Sequence, residues 1–289
     1  MNLPPATSIG KLDEKQRRAL ISLLADDDQN VYRTVRQKIM SYGPASAAWL
    51  REHTRSNDPA LRRRANEIVS HFARQAADTE LLAFCLNQGE DFDLEHSVLL
   101  LSRTQYPDIN CEAYSALLDD YAGELRNRLD LNGDPILVLK TINEYLFREL
   151  KFTGDEQNFY DPDNSYLSQV LDRRIGNPIS LSLVYLLLAR RLRLPMAGIG
   201  LPGHFLCRYQ SSRAEIYVDA FRGGRFLTKA DCVKHVVQLR QRFDDSCLAP
   251  VSSRRLLLRI CATLHQIYTQ QKSAEQADRL QRYLVALAK

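Results

Sequence analysis

A chain of 289 residues is long enough for one large domain or two to three small ones. With 45% hydrophobic and 26% charged residues the composition is globular, which excludes wholesale disorder. The formal charge of +4 is too small to imply a nucleic-acid partner by itself.

Six cysteines (Cys85, Cys111, Cys207, Cys232, Cys247 and Cys261) are scattered without a C-x-x-C pair, so neither a zinc ribbon nor a redox motif is expected, and no cofactor or metal. The first residues, MNLPPATSIGKLDEKQ, lack the apolar core of a signal peptide. The longest apolar run, 179–189, is interrupted by Ser180, Ser182 and Tyr185 and is too short to span a bilayer. These features predict a soluble, cytoplasmic protein with no membrane partner.

Residues 1–10 read as a loose tail. From residue 11 to about 110 the pattern is helical, with Leu20, Leu23, Leu24 and then Val31, Val35, Ile39 recurring at threes and fours. Gly43-Pro44 interrupts it, and Asp58-Pro59 opens another helix with Asp58 as N-cap and Pro59 at the first helical position. The segments DQNVYRTVRQKI (28–39) and DPALRRRANEIV (58–69) align at an offset of thirty, matching Val31 with Leu61, Arg33 with Arg63, Val35 with Ala65 and Ile39 with Val69. This predicts a short HEAT-type array, with a plain helical bundle as the alternative. The basic spots Arg62–Arg64 and Arg254–Arg255 fall in helical patterns and read as solvated faces in preference to phosphate-binding patches.

Beyond Tyr106-Pro107, residues 111–130 and 135–150 read as amphipathic helices, the second opened by Asp134-Pro135. A loop rich in turn formers, TGDEQNFYDPDN (153–164), follows, and Asn164 is expected to cap the helix SYLSQVLDRR. After Gly176-Asn177 comes a very apolar helix, 178–194. Strands are then predicted at 196–201, 205–209 and 215–221, the last two joined by a turn at 210–213, with RFLT following Gly223-Gly224. Helices return after Lys229. Residues 252–287 read as two helices broken near Lys272-Ser273; a lone tetratricopeptide-like hairpin is one reading, although its diagnostic Trp, Gly and Pro positions are missing.

His204 opens the second main strand and Asp219 sits on the next. Fifteen residues apart, they can face each other across neighbouring antiparallel strands as a base and the group that orients it. Spacing alone leaves open that His204 is merely a satisfied polar group. The order of helices, one buried helix and consecutive antiparallel strands is that of the papain/transglutaminase core. The run NSYLSQVLDRRIGNPISLSLVYLLLARRLRLPMAGIGLPGHFLCRY resembles the transglutaminase-like superfamily, in particular a bacterial branch that often carries tetratricopeptide repeats and is shared with some F-box proteins. The resemblance covers roughly 130–225 and rests on RR-x-G-N, L-x-L, ARRL and LPGHF in order. It places His204 on the family histidine and Asp219 on the family aspartate.

The departure falls at the nucleophile. Members with a complete triad resemble G-N-C-L-x-L-S at the helix start, where this chain has Gly176-Asn177-Pro178-Ile179-Ser180-Leu181-Ser182. Pro178 suits a first helical position behind an Asn177 cap but carries no nucleophile. Ser180 points about 200° round the helix from position 178, so a back-bond or small-residue packing is the expected role and a substitute nucleophile the alternative. Cys207, three residues after His204, is expected on the opposite strand face as a buried thiol.

The predicted fold is α+β and mostly helical. A HEAT-like region (1–104) precedes a transglutaminase-like domain with a small antiparallel sheet (105–250) and a C-terminal helical hairpin (251–289). The predicted function is a pseudoenzyme that binds a protein or peptide partner, its oligomeric state left open. The alternatives are a residual hydrolase or acyltransferase using Ser180, His204 and Asp219, and nucleic-acid binding through the basic helical patches.

Overall fold

The computed structural model describes residues 12–131, 133–212, 214–240 and 242–289. The tail expected at 1–10, and Arg213 of the turn expected at 210–213, lie outside them. The described helices are α1 (Glu14–Leu24), α2 (Gln29–Ser41), α3 (Ala45–Leu50), α4 (Pro59–Asn87), α5 (Leu94–Gln105), α6 (Cys111–Arg128), α7 (Pro135–Asn143), α8 (Leu167–Arg173), α9 (Pro178–Arg191), α10 (Lys229–Gln238), α11 (Ser253–Gln270) and α12 (Ala274–Leu287). The strands are β1 (Thr153–Gly154), β2 (Ile175–Gly176), β3 (Met196–Leu201), β4 (His204–Gln210), β5 (Glu215–Asp219) and β6 (Arg225–Leu227). No described helix is long and apolar enough to cross a membrane. The fold is α+β and mostly helical. It divides into two compact units, one up to Ala77 with Tyr106–Asp108, the other comprising Asp78–Gln105 and Ile109–Lys289.

In the first unit the two aligned segments share an opening and a core. Asp28 accepts a hydrogen bond from the Asn30 N–H at 2.7 Å, and Asp58 accepts one from Ala60 N–H at 2.8 Å, so both copies open with an aspartate cap. Val35 and Ala65 are buried in one cluster with Leu24, Ile39, Leu50, Ile68 and Phe72, while Val31, Leu61 and Val69 pack against it. The second copy has no turn: α4 runs unbroken to Asn87.

Arg62, Arg63 and Arg255 are exposed, as a solvated face requires, and the basic spots depart from that reading at one residue each. Arg64 is buried, donates to the Leu24 and Asp26 carbonyls at 2.8 and 2.6 Å, and lies over the Tyr32 ring. In the second unit Arg254 is buried and donates to Leu287 O, Ala286 O and Gln88 O. Arg279 likewise donates to Thr104 O at 2.8 Å. Each of the three satisfies carbonyls left free at helix C-termini, where a cation also opposes the helix dipole.

The second unit is organised around α9. Residues from Pro178 to Ala189 are buried on nearly every side, as expected of a helix apolar all round. One face of the sheet, ordered β3-β4-β5-β6 and antiparallel throughout, lies against it. On the other face Ile199, Leu201, Leu206 and Tyr217 form a cluster with Cys232 and Val236 of α10. The C-terminal helices α11 and α12 pair as a hairpin.

Three local expectations are corrected. The helix expected at 135–150 is α-helical only to Asn143 and continues as a π-helix over Glu144–Glu149. The loop at 153–164 contains β1, which pairs in parallel with β2. Asn164 does not cap α8. Its side chain donates instead to Asp155 Oδ2 and Asn158 O, both at 3.0 Å, and α8 starts after Tyr166 without a side-chain cap.

Candidate functional site

The start of α9 is closed by a network that begins with Asn177. Its Oδ1 accepts the N–H groups of Ile179 and Ser180 at 3.0 Å each, and its Nδ2 donates to Ser165 Oγ at 2.8 Å. Pro178 occupies the next position, where a missing N–H costs nothing. Ser180 completes a capping box: its Oγ accepts the Asn177 N–H at 3.0 Å and donates to Asn164 O at 2.6 Å. A Cβ on Gly176 would lie 2.6 Å from that Oγ, so the close approach requires glycine.

Ser180 is 1% exposed, and its hydroxyl is engaged with the loop and the cap. The expected back-bond exists only as a 3.2 Å contact to Asn177 O; the shorter bond goes to Asn164, sixteen residues earlier.

The strands supply the second half. Cys207 pairs with Val218 across β4 and β5, so parity puts His204, Leu206 and Asp219 on one face. His204 Nε2 lies 2.8 Å from Asp219 Oδ2, with the two side chains 14% and 5% exposed. The tautomer with its proton on Nε2 donates to the carboxylate and leaves Nδ1 as an acceptor. Asp219 Oδ1 also accepts the Arg222 N–H at 3.2 Å. Phe221 sets its ring edge-on to His204 at 6.2 Å.

The two halves meet at a cavity of about 250 Å³ lined by Pro178, Ile179 and His204 together with Phe159, Arg259 and Ile267. Pro178 and His204 thus share a cavity, whereas Ser180 is absent from its lining.

The buried thiols nearest His204 lack the character of a nucleophile. Cys207 is fully buried with its Sγ 3.5 Å from Ser182 O, and burial pushes its thiol up to about 12. Cys232 lines a separate cavity with His204 and Asp219, but burial raises it to about 11. A nucleophilic cysteine needs the opposite shift. No group of three or more His, Cys, Asp or Glu able to hold a metal occurs among the described residues.

Sequence reasoning missed Arg259, Phe159 and the Ser165–Asn177 contact. The aromatic pair Phe159-Tyr160 inside an otherwise polar loop was the available signal for one wall. Nothing local marks Arg259, which arrives from α11.

Comparison with known proteins agrees with this architecture. The profile of the transglutaminase-like superfamily matches residues 112–262, just over half of the chain and further in both directions than the motif run implies. A UPF0162 protein of Xylella fastidiosa strain 9a5c is 36% identical over 208 residues, covering 66% of this chain and 72% of the relative. F-box only protein 21 of Mus musculus is 43% identical over 200 residues, covering 58% of this chain and 32% of the relative. A UPF0162 protein of Vibrio cholerae is 30% identical over 138 residues, covering 46% and 51%. No solved structure matches.

Proposed function

Because the chain belongs to the transglutaminase-like superfamily, we propose that it is a non-catalytic member whose former active-site cleft binds a segment of a protein or peptide partner. The observation that carries this reading is Pro178, at the first position of α9 and on the wall shared with His204. Proline removes two things there: a nucleophilic side chain, and a backbone N–H of the kind that stabilises an oxyanion at a helix start. The next two N–H groups are already taken by Asn177. His204 and Asp219 keep the geometry of a base and its orienting group with nothing to activate. Likeness to a protein named as an F-box protein supports an interaction role. The engaged hydroxyl of Ser180 speaks against a serine-based hydrolase. The buried side chains of Arg64 and Arg254 leave the basic spots too small for a nucleic-acid surface.

Position 178 is tested by placing a thiol there. Pro178→Cys puts the thiol at a helix N-terminus in the His204 cavity, and its alkylation by iodoacetamide near neutral pH is expected to exceed that of an exposed control cysteine at least about tenfold. Peptide mapping separates it from Cys111 and Cys247, which are partly exposed. An unaccelerated thiol would mean that position 178 is not the nucleophile slot. A covalent adduct of the native chain with an acyl or electrophilic probe at the Pro178–His204 cleft would overturn the non-catalytic reading.

A further inference from the structure

The cleft contains a cation that the architecture of a Cys-His-Asp site does not account for. Arg259 projects from α11 and donates through Nη2 to Leu201 O and His204 O, at 2.5 and 2.7 Å. These carbonyls bracket the bend between β3 and β4, so one guanidinium nitrogen clamps the turn that presents His204. Its Nη1 and Nε have no hydrogen-bond partner, and its charge no carboxylate, among the described residues. The fully buried arginines, Arg64, Arg254 and Arg279, also bond to carbonyls, but those carbonyls end helices and none of the three lines the cavity of Pro178 and His204. Arg259 lines the cavity of Pro178 and His204.

We propose that this cavity is a carboxylate-binding site, in which Arg259 receives the carboxylate of a peptide segment while an adjoining apolar side chain lies against Phe159, Ile179 and Ile267. Arg259 is half-buried and its guanidinium lies over the Phe205 ring at 5.5 Å, so its charge is partly withdrawn from water without a counter-ion, and an incoming carboxylate supplies a charge-assisted hydrogen bond. Burial alone lowers the Arg259 pKa, with no acidic neighbour opposing it. Aspartate and glutamate are absent from the lining, and the nearby Asp219 carboxylate is bonded to His204. At about 250 Å³ the space lies below the ~300–1,000 Å³ of drug-sized sites and suits one residue-sized group. The carboxylate can be a free C-terminus or an acidic side chain, which present the same chemistry to Arg259. This inference rests on the binding-cleft reading and specifies its ligand.

The test titrates the full chain with three probes and follows the His204 imidazole resonances by NMR. The probes are N-acetylphenylalanine, its uncharged amide, and the doubly blocked dipeptide N-acetyl-Phe-Glu-amide. At least one carboxylate probe is expected to bind tenfold or more tightly than the amide, and the better of the two identifies the source. Arg259→Gln is expected to abolish that advantage, while Arg259→Lys, which keeps the charge, retains part of it. Equal binding of acid and amide to the native chain overturns the proposal whether or not the variants fold, and leaves the cleft as a binding site of another chemistry. Survival of the acid preference in a folded Arg259→Gln protein also overturns it. The alkylation of Pro178→Cys and the adduct search on the native chain do not depend on Arg259, so failure of the binding-cleft reading registers separately.

Discussion

The two walls that meet at the cleft are built on different terms. At the start of α9 the polar groups are engaged in structure: Asn177 is spent on two N–H groups and Ser165, and Ser180 on Asn177 and Asn164. On β4 and β5, by contrast, His204 and Asp219 form a pair whose second ring nitrogen is unengaged among the described residues. On the proposed reading, the architecture of a triad is separable from its reactive atom. The helix start is closed by its own capping network, while His204 and Asp219 stand bonded to each other on the other wall of the cavity.

The sharpest way to break this contrast is to remove Asp219. Its carboxylate accepts from His204 and from the Arg222 N–H while 5% exposed. Hydrogen bonds to a charged group contribute roughly 1.5–3 kcal/mol each, offset by the cost of burying the charge. Asp219→Ala is expected to lower the unfolding free energy by about 2–4 kcal/mol in urea denaturation. Asp219→Asn, which keeps an acceptor for Arg222, is expected to cost less than half as much. A neutral Asp219→Ala would mean the pair carries no structural weight and would point back to chemistry as its purpose.

On the helix side the corresponding change is Ser180→Ala. It leaves the Asn177 N–H and Asn164 O with only each other, at 3.2 Å, in a buried site. The expected loss is about 1–2 kcal/mol, the range for a broken cap and an unsatisfied buried group. Any turnover found in the native protein should survive this change. Turnover abolished in a variant of unaltered melting temperature would restore Ser180 as a nucleophile.

Much of the cleft was legible in the sequence because its main parts are local. Gly176-Asn177-Pro178 announces a capped helix start, the mostly apolar run after it a buried helix, and a separation of fifteen residues lets His204 and Asp219 face each other on neighbouring strands. What escaped had its partners elsewhere. Asn164 has the composition of a cap, yet Asp155 and Asn158 compete for its side chain and win. Ser180 is the third member of a capping box, but Asn-x-x-Ser is not the usual Ser/Thr-x-x-Glu pattern. Arg64 and Arg254 look solvated because periodicity records apolar faces and says nothing of a guanidinium reaching carbonyls 40 or 33 residues away. Arg259 meets His204 across 55 residues, and no pattern within α11 betrays it.

A smaller effect sharpens the contrast at the proline itself. Pro178→Ala returns an N–H to a position that has no intrahelical partner for it and frees the unfolded chain. The expected cost is about 0.5 kcal/mol, with no gain of activity, since the hydroxyl and amide groups nearby stay engaged. A loss above about 2 kcal/mol would assign Pro178 a packing role larger than helix initiation.

The smallest effect concerns the loop that supports the helix wall. Asp155 has its carboxyl held below the usual range, first by the Asn158 N–H at 2.8 Å and also by Asn164 at 3.0 Å. A folded value below the unfolded one means the group favours the ordered loop at pH above about 3.9, and this contribution fades as pH falls through the lower folded value. The same Asn164 lends its carbonyl to Ser180 and to the Asn177 N–H. Acid should therefore loosen the α9 side of the cleft through Asp155. The Asn158 amide resonance is expected to titrate with a midpoint below ~3.9, and Asp155→Asn should remove that titration and lower the melting temperature slightly near neutral pH, where the carboxylate's contribution is present in the native chain. A midpoint at or above the ordinary carboxylate value would show that the loop draws no support from Asp155 and that the helix wall stands without it.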